Sequence, residues 1–222
     1  MELILGGGGD ENTSLESHKL FFDLLDGSKR VLYIPIAILS EKYTPEGCLS
    51  WFSNAFKNIG HLDITMLTKF EDIGTSLNEY SGIYIGGGNT FKLLWEIKNS
   101  KFVKNVSEYE GVIYGGSAGA IIFGKDISTA DHADKNDVNL KDIFSLDYLS
   151  GYNIWCHYND SDSNHIQKLL EKGQKIISIG EDSAVYSNDG KKVKSIGANV
   201  RIHIQEKYPL KLAPQEQFEL VL

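Results

Sequence analysis

Three short apolar runs in this chain each end in a cluster of glycines: "ELILGGGG" (residues 2–9), "GIYIGGG" (82–88) and "GVIYGGSAG" (111–119). Such runs are too short for helices and suit strands buried on both faces. Glycine placed directly after a strand permits a tight turn or a close backbone approach. Amphipathic stretches separate these runs. "SLESHKLFFDLL" reads as a helix with Leu15, Leu20, Phe21, Leu24 and Leu25 on or near one face. "TPEGCLSWFSNAFKNI" offers Thr44 as N-cap and Pro45 at the first helical position, and turns Leu49, Phe52 and Phe56 inward. "NTFKLLWEI" is a further helix, and "RVLYIPIAI" and "LDITMLT" are further strands. Later, "GYNIWCHYN" and "KIISIGE" read as strands around the helix "SNHIQKLLEK".

Buried strands alternating with helices predict an α/β fold in three layers, a mostly parallel sheet with helices on both faces. From Ala184 the pattern changes to "AVYSNDGKKVKSI", where Asn188-Asp189-Gly190 is a hairpin signal. An antiparallel extension near the C-terminus is expected. No linker, repeat or low-complexity segment interrupts the chain, so residues 1–222 are expected to form one domain. Ligands of open sheets gather outside the carboxyl ends of the strands. The three glycine clusters would therefore share one rim.

Composition narrows the function. The chain is 41% hydrophobic and 23% charged, with a net charge of −8 and no run of Lys or Arg. Nucleic-acid binding needs concentrated positive charge and is not expected as the main task. No apolar stretch reaches membrane-spanning length, and the N-terminus lacks a basic region ahead of its short apolar run, so a cytoplasmic protein without membrane contact is expected. Cys48 and Cys156 match no metal or redox spacing and read as buried free thiols. The glycines fit neither the dinucleotide fingerprint nor a phosphate loop, since the required third glycine and the Gly-Lys-Ser/Thr run are missing.

Gly115-Gly116-Ser117-Ala118-Gly119 satisfies G-x-S-x-G, with a strand before it and an apolar helix-like run after it. A strained turn of this kind exposes the Ser117 hydroxyl and sets a helix N-terminus beneath it. The Ala118 N–H would point at a substrate oxyanion. The competing reading is that the small residues only permit close strand–helix packing.

A serine nucleophile needs a base and a group that orients it. Of six histidines, His18 reads as a surface or boundary residue, His61 as a loop residue and His203 as an exposed strand position. His132 and His165 lie in polar, acidic stretches. His157 ends the apolar run "YNIWC" on the predicted rim and is the candidate base. Glu181 ends "KIISIG" on the same rim and is the candidate acid; Asp131, on a loop, is the alternative. Asp160, Asp162, Asn164 and Glu171 mimic a calcium loop, but His165 replaces its essential glycine, and Asp160 or Ser161 as an N-cap explains the stretch better. No metal site is expected.

"YIGGGNTFKLL", "YGGSAGA", "IWCHYN" and "IGEDSAVY", in that order, resemble the dipeptidase E and cyanophycinase family of serine peptidases. The likeness spans roughly residues 80–190. It implies a class I glutamine amidotransferase-like fold with serine in place of the cysteine nucleophile. It further implies Ser117 as nucleophile, His157 as base, and Glu181 as the acid of cyanophycinase-like members. Aspartyl dipeptidases instead use an aspartate from the loop where Asp131 falls. The backbone N–H groups of Gly88 and Ala118 would form the oxyanion hole. Asn89 is a substrate-binding candidate and, with Thr90, suits the N-cap of the next helix. Aspartyl dipeptidases carry an arginine beyond the histidine, but here that segment is "NDSDSNHIQ", and neither Arg30 nor Arg201 lies near it in sequence. Its negative charge would sooner attract a basic or amino-terminal group.

The expected activity is serine-type hydrolysis of peptide or amide bonds in small peptides, without a cofactor. A non-catalytic ligand-binding or regulatory protein on the same scaffold is the alternative. The expected partner is the peptide substrate, and a homodimer is left open.

Overall fold

The computed structural model describes residues 1–74 and 76–221. The first half of the chain runs β1 (Glu2–Gly6), α1 (Leu15–Leu24), β2 (Arg30–Ile34), α2 (Pro45–Phe56), β3 (Asp63–Met66), β4 (Gly82–Ile85), α3 (Thr90–Lys98) and α4 (Phe102–Ser107). β5 (Val112–Gly116), α5 (Ala118–Ile121), β6 (Tyr152–Trp155), α6 (Ser163–Leu170) and β7 (Lys175–Ile179) follow. The chain ends with β8 (Ala184–Ser187), β9 (Lys192–Ile196), β10 (Val200–His203), β11 (Leu210–Leu212) and β12 (Gln217–Glu219).

An eight-stranded sheet has the order β12-β9-β8-β1-β5-β4-β2-β3. Its β1, β5, β4, β2 and β3 are mutually parallel, while β8, β9 and β12 add antiparallel pairs at one edge. The alternation of side chains along each strand divides the core in two. Leu3, Leu5, Leu32, Ile34, Ile83, Ile85 and Ile113 face α3, α4 and α5. Tyr33, Tyr84 and Tyr114 face the other way, onto Phe21 of α1 and Phe52 and Phe56 of α2. One face is aliphatic; the other is a row of tyrosines. The strand starting at Arg30 stops at Ile34 rather than running on to residue 38, because Pro35 has no N–H for the ladder and its carbonyl closes a turn onto Ile38 N at 3.0 Å.

β6 and β7 do not join this sheet. They pair in parallel with each other, and β7 pairs antiparallel with β10, which carries β11. This second sheet lays Tyr152, Ile154, Ile177 and Ile179 against the aliphatic half of the core. α6 covers its other face through Ile166 and Leu170, packed on Trp155 and Ile176. No helix among the described residues is long and apolar enough to cross a membrane.

Two histidines are buried where the sequence suggests exposure. His18 follows the inward stripe of α1, three residues before Phe21, while Leu15 is exposed. Its ring lies 5.0 Å from that of Phe56 and 5.3 Å from that of Tyr114, and Nε2 stands 3.0 Å from the Tyr84 hydroxyl. His203 belongs to a strand covered on both faces, with Nε2 2.8 Å from Ser178 Oγ. Burial lowers both rings from 6.5 to about 4, helped at His203 by the nearby Arg201 charge.

The unfolded chain therefore takes up protons at these two rings before the native state does. Stability falls as pH drops from about 6.5 toward 4, by on the order of 3 kcal/mol per ring. Proton NMR of the imidazole resonances is expected to show two of the six histidines holding their neutral shifts down to pH 5. Titration of all six near pH 6.5 would contradict the burial described.

Candidate active site

β1, β5 and β4 lie side by side and parallel, so the glycines at 6–9, 115–119 and 86–88 emerge on one rim. Ser117 occupies the turn from β5 into α5 with φ 50° and ψ −112°, a conformation costly for a residue with a Cβ. Neighbouring glycines allow it: a Cβ on Gly119 would run into the Ile85 carbonyl, and one on Gly115 into the Gly119 carbonyl. The Ser117 N–H donates to Gly6 O at 3.1 Å, which ties the turn to β1. α5 has only four residues, so a helix dipole contributes less here than the sequence pattern suggests. The local N–H groups matter more. Those of Gly88 and Ala118 donate to no acceptor among the described residues.

His157 and Glu181 arrive from the second sheet. β6 and β7 are parallel neighbours with Trp155 opposite Ser178, so the two residues just past the strand ends fall together. His157 has φ 54° and donates its N–H to Gly7 O at 2.8 Å. Its Nε2 lies 2.9 Å from Ser117 Oγ, and its Nδ1 lies 2.8 Å from Glu181 Oε1. The side chains of His157 and Glu181 are 48% and 61% exposed, so the group is open to a substrate from solvent.

Asp131 is not bonded to His157. It is exposed, just past a single 3₁₀ turn (Ser128–Ala130). Asp134 from the same loop accepts from Thr90 N at 2.8 Å. Asn89 caps α3: its Oδ1 accepts from Lys92 N, and its Nδ2 donates to Lys135 O, each at 2.8 Å. Both ends of that amide are thus engaged within the protein. Cys156, next to the histidine, is fully enclosed, and burial raises its thiol well above the usual range. It packs against Ser117 O and Gly6 O rather than facing solvent. Cys48 is likewise buried and free.

The acidic segment after His157 differs from expectation in two respects. A 3₁₀ turn (Asp160–Asp162) precedes α6 and is capped by Asn159, whose Oδ1 accepts from Ser161 N at 3.1 Å while Asp162 Oδ2 accepts from Asn159 N at 2.9 Å. α6 itself follows Asp162 with no side-chain cap, so neither Asp160 nor Ser161 is its N-cap. An arginine also lies beside it. Arg201 on β10 reaches across the second sheet to Asp160 Oδ1 at 2.7 Å and to the Tyr158 hydroxyl. The distance of 41 positions along the chain hides this pairing in the sequence. No group of three or more His, Cys, Asp or Glu among the described residues is arranged to hold a metal ion.

Gly8, which no sequence motif marks, lies against both Ser117 and His157. Its φ is 99°, and a Cβ there would stand 2.5 Å from His157 Nε2 and 3.0 Å from Ser117 Cβ. The first glycine cluster is thus the backbone strip against which the imidazole and the serine rest. Gly8→Ala is expected to keep the fold and force the ring away. A crystal structure of that variant should show the Ser117 Oγ–His157 Nε2 separation beyond 3.5 Å. Retention of the 2.9 Å contact would contradict this packing.

Known proteins resemble this chain in sequence and in fold. A profile of peptidase family S51 matches residues 3–195. Peptidase E of Shewanella sp. strain W3-18-1 is 27% identical over 207 residues, covering 84% of each chain. An uncharacterized peptidase of Listeria monocytogenes serovar 1/2a is 31% identical over 173 residues, covering 71% of this chain and 82% of the relative. A solved Listeria monocytogenes EGD-e structure superposes with TM-score 0.67 at 28% identity, covering 87% of this chain and 96% of its own. A peptidase from an acI-B1 actinobacterium shares the fold, with TM-score 0.73 at 20% identity over 98% and 96% of the two chains. The chain belongs to peptidase family S51 and is a serine-type peptidase.

Proposed function

We propose that this peptidase cleaves small peptides through Ser117, His157 and Glu181, by way of an acyl-enzyme. The observation that carries the reading is the unbroken relay from Ser117 Oγ to His157 Nε2 at 2.9 Å and from Nδ1 to Glu181 Oε1 at 2.8 Å. A carboxylate at Nδ1 keeps the ring proton on that nitrogen and leaves the Nε2 lone pair facing the hydroxyl. Ser117 Oγ adds to the scissile carbonyl carbon as its proton passes to Nε2. The oxyanion is received by the N–H groups of Gly88 and Ala118, whose lack of any protein acceptor supports this role. Collapse of the tetrahedral intermediate breaks the C–N bond, and the imidazolium gives its proton to the departing amine. Water then adds to the ester with His157 as base, which releases the acid and restores the serine. Every step is a proton or acyl transfer among these groups, so the reading needs no cofactor.

The acid is the sharpest point to test, because the resemblance offers both Glu181 and Asp131. Glu181→Gln is expected to lower kcat about 10⁴-fold through loss of tautomer control, as removal of a triad carboxylate does elsewhere. Asp131→Asn is expected to stay within twofold of the parent. Steady-state kinetics on a dipeptide panel measures both. The reverse ranking would transfer the role to Asp131. Ser117→Ala is expected to lose turnover by at least about 10⁴-fold while keeping the parent's unfolding midpoint. Undiminished hydrolysis by that variant would remove the mechanism.

A further inference from the structure

A cleft of about 480 Å³ opens beside Ser117, within the size range of small-molecule sites. It lies on the tyrosine face of the main sheet. Its walls are Tyr33, Ile38, Tyr43, Cys48, Trp51 and Tyr84. We propose that this cleft holds the side chain on the acyl side of the scissile bond and selects large apolar or aromatic residues there. The proposal rests on Ser117 being the nucleophile.

Geometry assigns the side of the bond. Ser117, Gly86 and Gly87 border the cleft, together with Gly9 and with Gly8, against which the imidazole rests, whereas His157 itself does not line it. The departing amine must leave within reach of His157 Nε2, because that nitrogen protonates it. A cleft that meets the serine but not the imidazole therefore receives the acyl half. Its position next to the 86–88 glycines, on the oxyanion side, fits the same orientation.

Chemistry assigns the occupant. Tyr33 is stacked on Phe52, with centroids 4.3 Å apart and planes 7° apart, and its ring meets that of Tyr84 edge-on at 5.9 Å. Trp51 meets Tyr84 edge-on at 6.4 Å. These contacts hold the walls in place before a ligand arrives, which lowers the ordering cost of binding. Apart from Lys42, the polar side chains lining the cleft are neutral, and two are already engaged: the Tyr84 hydroxyl with His18 Nε2, and Thr44 Oγ1 with Gly47 N.

Lys42 at the cleft is the one lining residue with a formal charge. It is exposed and sits 5.0 Å from the centre of the Tyr43 ring. A carboxylate drawn into the cleft would lose its hydration among aromatic walls and gain only a solvated partner, which compensates weakly. Lys92 donates to Leu39 O at 2.9 Å and does not line the cleft, and Arg201 is paired with Asp160 and does not line it either. An apolar ring or branched chain has no such difficulty. Burying one contributes enough to favour it over a methyl group by about ten- to hundredfold.

The test is a panel of Xaa-Leu dipeptides with Phe, Leu, Ala, Asp and Lys in first place, assayed by kcat/KM on the parent enzyme. Phe and Leu are expected to exceed Ala and Asp by at least about tenfold. Trp51→Ala and the more exposed Tyr43→Ala are expected each to lower the Phe-to-Ala ratio of kcat/KM by about tenfold. An unchanged circular dichroism spectrum, expected of at least the more exposed Tyr43 variant, would show that folding is not the cause. A preference for Asp that collapses in Lys42→Ala would overturn the proposal, and so would a Phe-to-Ala ratio unmoved by both wall variants. Parallel assays of Ser117→Ala separate the two readings. Activity that persists in that variant removes the nucleophile assignment, whereas serine-dependent activity with an acidic preference removes the cleft assignment alone.

Discussion

Two consecutive backbone carbonyls hold this site together. Gly6 O accepts the Ser117 N–H at 3.1 Å, and Gly7 O accepts the His157 N–H at 2.8 Å. The Gly7 N–H in turn donates to Ser183 O at 3.0 Å, just beyond Glu181. The Ser117 turn belongs to the eight-stranded sheet, and the other two loops follow strands of the four-stranded one. A single extended segment after β1 therefore joins three loops from two sheets. Gly8, the next residue, has no side chain and leaves room for the imidazole. Preorganisation of this kind fixes reacting groups before substrate binds, and displacements near 1 Å can cost about a hundredfold in rate.

Two of the eight non-glycine residues with positive φ among the described residues lie at this site and fit this picture. Ser117 and His157 both hold positive φ without being glycine, and each donates its N–H to the same segment. Strain of one to a few kcal/mol persists only where surrounding contacts over-determine the conformation. Here they do. Beneath the rim, the division of the core into an aliphatic and a tyrosine face sets the character of the cleft. Tyr84 lines the cleft and stacks on the buried Tyr114, 4.5 Å away, and the polar atoms of His18 and Ser17 bond the two phenols. A histidine that reads as peripheral in the sequence thus braces Tyr84, a wall of the cleft.

Much of this was legible beforehand because it depends on local pattern. The apolar runs gave the strands, the glycines gave the rim, and G-x-S-x-G gave the turn at Ser117. His157 and Glu181 could be singled out because each follows an apolar run that ends on that rim. Their placement in a separate sheet was not readable, since strand order is set by pairing between distant segments. His203 looked exposed because "RIHIQ" alternates, yet β10 lies between β7 and β11 and is covered on both faces. The Arg201–Asp160 contact was invisible for the same reason: it spans a strand pairing, not a sequence interval. Gly8 carried a signal, the length of the first glycine cluster, but its meaning needed the imidazole in view.

In the proposed mechanism this glycine strip aims Ser117, and no other nucleophile, at a peptide carbonyl. Rapid quenching of the enzyme during turnover of an activated ester substrate, followed by mapping of the acylated peptide by mass spectrometry, tests this assignment. One acyl group, on Ser117, is expected. An adduct on Cys156 or Cys48, or turnover with no covalent adduct under conditions where hydrolysis of the ester is rate-limiting, would contradict it.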